Sequence, residues 1–256
     1  MLYLTAPFKT LNQICMNRLL IALLASFFFT GCIDILEELY LNADGSGTYT
    51  LTTDMSAFMS PEMKELMNAA NEEENGQEEE APLEIDSVIM LKEVNPEAFA
   101  ALERPEVFKT ARMHLIMSDS REKMIISYIL DFDNIEDINY FRQHVSAFSE
   151  EEMDMFAGGL LQTDDLRFFS MDGKKTLIRH DTDTVQEELS EEDLSMMEMM
   201  FSDGTYKTIY HFPGKVKSTT IPNAKIEGNT LVAEAPLLDM MKGEAQLAGA
   251  IKFKRH

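Results

Sequence analysis

Apolar and polar residues alternate along two short stretches near the front of the chain, and a period of two is the signature of half-buried strands. Ile35 to Leu41 and Thr48 to Thr53 form such a pair. They are joined by Asn42-Ala43-Asp44-Gly45-Ser46-Gly47, whose Asp and Gly residues suit a tight hairpin. The same pattern predicts strands over Ile85 to Leu91, Val107 to Met117 and Lys123 to Phe132, with Asp119-Ser120 turning between the last two. Met113, Leu115 and Met117 share a face, and Lys123 to Phe132 is rich in Ile and Tyr, which places these two strands at the centre of a sheet. Farther on, Leu166 to Ser170 and Lys174 to Arg179 read as a hairpin about Asp172-Gly173. Tyr206 to Phe212 sets Tyr206, Thr208, Tyr210 and Phe212 on one face. His211 to Val216 turns into a further strand, Lys225 to Glu234 passes through Gly228-Asn229, and Ala248 to Phe253 reads as the last strand.

Between these runs the spacing becomes helical. Ser60-Pro61 opens one helix, Ser as cap and Pro in the first turn, followed by the stripe Met63, Leu66, Met67 and Ala70. Asn95-Pro96 starts a shorter one carrying Ala98, Phe99 and Leu102. Asp133 with Glu136 reads as a capping box, and Ile138, Phe141, Val145 and Phe148 follow at helical spacing. Glu150 to Leu161 is another apolar segment, interrupted by Gly158-Gly159. Ser190 to Phe201 has a capping box in Ser190 and Asp193 and a hydrophobic staple in Leu189 and Leu194. Leu237 to Met241 is long enough for a turn or two. The expected fold is α+β: a mostly antiparallel sheet with helices 133–148 and 190–201 packed on one face.

One stretch fits neither period. Met16 to Cys32, MNRLLIALLASFFFTGC, has a basic residue at Arg18, an apolar run from Leu19 to Phe29 broken only by Ser26, and a small-residue close at Thr30-Gly31-Cys32. That is the layout of a secretory signal, and the run falls short of the roughly 20 residues a membrane span needs. Its ending, FFTGC, resembles the bacterial lipoprotein signal, in which a small residue precedes the cysteine that receives the lipid. The resemblance implies a signal peptide over 1–31, with Met16 as the better start, and a mature chain of 32–256 anchored through acyl chains such as palmitate on Cys32. A buried helix, an ordinary signal with a chance cysteine, and a retained membrane anchor are the competing readings. The acidic residues that follow, in Ile33-Asp34-Ile35-Leu36-Glu37-Glu38, resemble the export signals of Bacteroidetes surface lipoproteins, so an outer-membrane location is expected. Tyr206 to Phe253, with its Phe212-Pro213-Gly214 turn and Glu227 to Val232 hairpin, resembles the carboxy-terminal end of bacterial envelope lipoproteins, as the opening hairpin resembles their start. That likeness implies an envelope location and an α+β fold. It implies no catalytic set.

Charge sharpens the picture. The chain carries 45 acidic against 22 basic side chains. Loss of 1–31 removes two of the basic ones and leaves a balance near -25 on 225 residues. Such an excess disfavours nucleic acid and anionic headgroups as partners. Cys15 leaves with the signal and Cys32 is taken by lipid, so no disulfide is expected and the core must carry the stability. The 225 residues suit a single domain, with an acidic loop at about 71–81 where Glu72 to Glu80 offer nothing to bury; a split near residue 80 is the alternative.

Candidate chemistry is thin. Asn42, Asp44, Ser46 and Thr48 have the alternation of a calcium loop but lack its closing Glu, Thr53 standing there. The methionines of 190–201 have soft, copper-compatible sulfurs at the ordinary spacing of a core helix. His114, His144, His180 and His211 are not spaced as metal ligands, and no nucleophile elbow, phosphate loop or dinucleotide fingerprint occurs. No catalytic residue, metal or cofactor is assigned, and the expected protein is not an enzyme. The expectation is a non-catalytic envelope lipoprotein, held to the membrane at Cys32, that binds a protein partner or assists assembly. A cation- or small-ligand-binding lipoprotein using an acidic face is the alternative, and a cryptic hydrolase stands behind both. An exposed sheet edge would favour the first; acids gathered on one face would favour the second.

Overall fold

A computed structural model describes residues 33–61, 63–64, 82–148, 167–180, 198 and 201–254. The expected segments Leu66 to Ala70, 71–81, Glu150 to Leu161 and nearly all of 190–201 lie outside these residues.

The front hairpin forms as its alternation requires. β1 (Asp34–Leu41) and β2 (Gly47–Asp54) pair antiparallel, Glu37 opposite Leu51, and bury Ile35, Glu37, Leu39 and Leu41 with Tyr49, Leu51 and Thr53. β3 (Glu84–Met90), β4 (Arg112–Ser118) and β5 (Lys123–Phe132) continue the sheet on the β2 side. On the other side β1 pairs in parallel with β8 (Thr205–His211), which is followed by β11 (Thr230–Pro236) and the short β10 (Lys225–Glu227). The result is an eight-stranded sheet ordered β10-β11-β8-β1-β2-β5-β4-β3. A second sheet, ordered β6-β7-β12-β9, contains β6 (Phe169–Asp172), β7 (Thr176–Arg179), β9 (Val216–Thr219) and β12 (Gly249–Phe253). Among the described strands every pairing is antiparallel except β1 with β8. The α+β class therefore holds, with two sheets where one was expected.

Four short α-helices lie wholly among the described residues: α1 (Leu91–Val94), α2 (Pro96–Ala101), α3 (Ile135–His144) and α4 (Leu237–Met241). α3 begins one residue later than the sequence pattern suggests. Its cap is Asn134, whose side chain accepts from the Glu136 amide at 3.1 Å, with Asp137 completing the capping box. Asn wins because its Oδ1 can meet the orphan amides while Asp137 returns to the backbone N–H of Asn134 at 3.1 Å. The expected apolar stripe is correct: Ile138, Phe141, Val145 and Phe148 are all buried.

The strand expected from Val107 starts only at Arg112. Val107–Lys109 is instead a single 3-10 turn, with Phe108 fully buried against Phe141 and Phe148. Apolar residues next to a strand look like strand when read in one dimension. Here the turn delivers them to the helix. Likewise the 166–179 hairpin is shifted: β6 begins at Phe169, and Gly173 takes the left-handed backbone (φ 62°) that its turn needs. Both sheets and α3 contribute to one continuous apolar core, which runs from Leu39 and Ile126 in the first sheet to Leu177, Ile251 and Phe253 in the second. No helix among the described residues is long and apolar enough to cross a membrane.

Candidate functional site

The acidic start of the mature chain is not the surface feature its charge suggests. Glu37 lies in phase with Ile35 and Leu39, and that phase buries it completely. A buried carboxylate needs partners, and the fold supplies them from three elements. Tyr206 donates to its Oε2 at 2.6 Å and Tyr210 to its Oε1, both from the neighbouring strand β8. Arg142, on the buried face of α3, places Nη1 at 3.7 Å from Glu37 and donates to the Tyr49 hydroxyl at 2.6 Å. Arg179, from β7 of the second sheet, places Nη2 at 3.6 Å from the same carboxylate oxygen. Phe168 lies beneath both guanidiniums, 3.6 Å from Arg142 and 4.8 Å from Arg179, which gives each cation an aromatic face.

Burial raises the pKa values of all three tyrosines. Tyr206 is pushed up to about 12, by loss of water first and by the Glu37 charge second. Tyr49 and Tyr210 rise well above their ordinary value, again chiefly through burial. Burial opposes the charge of each arginine, but the surrounding tyrosine and Glu37 oxygens outweigh it and hold both guanidiniums protonated. The cluster therefore gathers two guanidinium cations around the Glu37 carboxyl group. The Nε atoms of Arg142 and Arg179 have no hydrogen-bond partner, an incompleteness that the stacking on Phe168 offsets. Closed to solvent and with its carboxylate occupied, this cluster has no access to a substrate. What it does is join β1, β8, α3 and the second sheet. Sequence alternation alone could have found it, because Glu37 falls in the buried register of an otherwise apolar strand face.

An accessible concavity lies elsewhere. A cleft of about 320 Å³ opens where β1 ends, between the 42–46 turn, the start of α3, the β6–β7 turn and β12. Leu41, Ile135, Met171 and Phe253 form its apolar part, and Asn42, Asp44, Asp133, Glu136 and Lys174 its polar rim. Several rim groups are already engaged. Asp44 accepts from the Ser46 amide and hydroxyl at 3.0 and 2.7 Å, so the 42–46 segment is a side-chain-braced hairpin turn. Glu136 accepts from Asn139 at 2.9 Å. Among the described residues no group of three or more His, Cys, Asp or Glu is arranged to hold a metal.

The histidines are scattered, each with a local partner: His114 with Asp86, His144 with the Tyr140 carbonyl, and His211 stacked on Tyr40. His180 Nε2 lies 2.7 Å from Ser170 Oγ, a nucleophile-and-base distance. Ser170 lies in β6 and His180 just after β7; neither lines the cleft, and no described carboxylate orients the imidazole. Among the described residues the pair has no third group of the kind that acyl transfer requires.

The sheet's outer edge is more open. β3 pairs only with β4 among the described strands. Leu83 accepts from the Asp119 amide and Leu91 donates to the Ala111 carbonyl, both on the β4 side. By alternation, the main-chain groups of Glu84, Asp86, Val88 and Met90 point away from β4, to the side that no described strand pairs with. Val88 is 60 % exposed there. The predicted lipid site, Cys32, lies just outside the described residues, one peptide bond before Ile33.

No family model matches the chain. No curated protein matches it either. Among solved structures it is similar to the folded domain of Mycobacterium tuberculosis LppM, determined by NMR, at 10 % identity. The match covers 90 % of this chain and 94 % of that one with a TM-score of 0.42, a level of likeness that carries no functional argument.

Proposed function

We propose that the chain is a non-catalytic envelope lipoprotein, anchored by acylated Cys32 after loss of residues 1–31, that binds a protein partner. The observation that carries this reading is the burial of the first residues after Cys32. Ile33 is completely buried and β1 starts at Asp34, so the core already includes the residues that directly follow the position at which a lipoprotein signal would be cleaved. The mature chain, 32–256, is one domain with an acidic loop near 71–81, and the outer membrane is its site. Each buried lipid methylene contributes about 0.8 kcal/mol, so two or three acyl chains hold such a domain firmly without a span. The β3 edge, unpaired among the described residues, supports a protein partner: an extended segment could add a strand there through main-chain hydrogen bonds.

Metabolic labelling with an alkyne-tagged fatty acid tests the anchor. Wild type is expected to label and to fractionate with membranes, whereas Cys32→Ser is expected to remain unlabelled and to be unprocessed or unanchored. Equal labelling and membrane recovery of the variant would overturn the reading. Affinity capture of the lipidated protein from detergent-solubilised native membranes then tests the partner. The cleft supports a second reading, in which a small ligand or cation meets the rim acids Asp44, Asp133 and Glu136. Binding of calcium or a glycan by the purified domain, weakened by Asp133→Asn, would shift weight to it.

A further inference from the structure

The start of β1 is pinned, and that pins the direction of the membrane. Ile33 has no exposed surface, and its carbonyl oxygen lies so close to Gly204 that a Cβ there would overlap it. Gly204 in turn accepts from the Leu237 amide at 2.8 Å, and the Asp34 carboxylate accepts from the Thr205 amide at 2.9 Å. The first two residues after Cys32 are thus fixed between β8 and α4, and the lipid-bearing Cα is one 3.8 Å peptide step from the folded body. No slack remains for a linker.

The sheet has two distinct ends. At the Ile33 end stand the start of β1, the end of β2 with its Ser56–Met59 turn, the start of β5 at Lys123, and α4. At the other end stand the 42–46 turn, the start of α3 and the cleft. Eight residues of β1 separate the ends, which at 3.3–3.4 Å per residue is roughly 25 Å. The turn and α4 flank the point where the chain leaves. To lie on its side the body would have to carry the lipid round this rim on one peptide step and the Cys32 side chain.

We propose that the protein stands end-on, with the Ser56–Met59 turn, Lys123 and α4 against the headgroups and the cleft facing away from the bilayer. The proposal rests on the Cys32 anchor. Its occupant on that end is the lipid surface itself. The cleft, roughly 25 Å up, is beyond the reach of lipids in the same leaflet and receives its ligand or partner from the aqueous side. Screening over about 8 Å at physiological salt also separates the rim acids from anionic headgroups.

The mature chain has no cysteine besides Cys32, so single-site labelling is clean. Lys123→Cys, Thr50→Cys, Ala43→Cys and Lys174→Cys each carry one fluorophore on the lipidated full-length protein. The protein is reconstituted in phosphatidylcholine vesicles whose headgroups bear a nitroxide quencher. Variants with wild-type circular dichroism enter the comparison. The expected result is quenching at 123 several-fold stronger than at 43 and 174, with 50 intermediate. Quenching strongest at 50 would mean a side-on pose, and quenching at 43 or 174 equal to that at 123 would mean free tumbling; either overturns the proposal. Failure of the protein to sediment with vesicles, with no acyl mass on Cys32, would overturn the anchor and the pose together. Anchored protein with the wrong quenching order would overturn the pose alone.

Discussion

Glu37 is a single residue whose removal is felt by four elements. Glu37→Gln keeps the size of the side chain but leaves Arg142 and Arg179 buried with no anion between them. Breaking a buried pair in this way costs roughly 3–5 kcal/mol, because the remaining charges cannot reach water. Urea denaturation is expected to show a loss of that size with unchanged slope. A loss below about 1 kcal/mol would mean the cluster behaves like an exposed pair. The same residue marks the limit of reading charge from composition. Taken with Asp34 and Glu38, Glu37 resembles an accessible acidic tag. Taken by its phase between Ile35 and Leu39, it belongs to the core. Phase was visible in the sequence; the tyrosines and arginines that make such burial tolerable were not, since they come from residues 49, 142, 179, 206 and 210.

α3 shows the same division at the level of an element. Its apolar stripe and its acidic first turn are local properties, so the helix was legible, and only its cap moved by one residue, from Asp133 to Asn134. Its second function was hidden. Asn139 accepts from the Phe168 and Phe169 amides at 3.0 and 2.7 Å and donates to the Phe169 carbonyl at 2.8 Å, which ties the helix to the backbone of β6. Two alanine substitutions separate the roles. Asn134→Ala should cost about 1 kcal/mol, the ordinary worth of a cap. Asn139→Ala should cost more, roughly 1–3 kcal/mol for each buried amide it leaves unpaired. Thermal melts of the two variants check the order, and equal losses would mean that water replaces the Asn139 clamp. The 3-10 turn at Val107 to Lys109 was illegible for the opposite reason: its apolar residues carry no period, and only Phe141 and Phe148 across the core decide that they turn.

For the whole molecule, the cluster makes pH a probe of cooperativity. The Tyr206 pKa is raised, from 10 to about 12, so the folded state retains a proton that the unfolded state loses. Its contribution is complete below pH 10 and is lost as pH climbs from 10 to about 12. That window corresponds to roughly 2–3 kcal/mol, at 1.36 kcal/mol per unit. Tyr49 and Tyr210 act in the same direction. Because the cluster lies between the two sheets, alkaline titration should ionise these tyrosines together with loss of both far- and near-ultraviolet dichroism. Smooth tyrosine ionisation near pH 10 with the fold intact would contradict their burial. What the amino-acid sequence determined by itself was what is set within a dozen residues: the front hairpin, the stripe of α3 and, from their succession, the α+β class. Tertiary structure decided what depends on residues far apart in the chain. It paired β1 in parallel with β8, across some 170 positions, divided the strands into two sheets, and enclosed Glu37. Short-range periodicity records which face of a strand is buried, but it does not record which partner buries it.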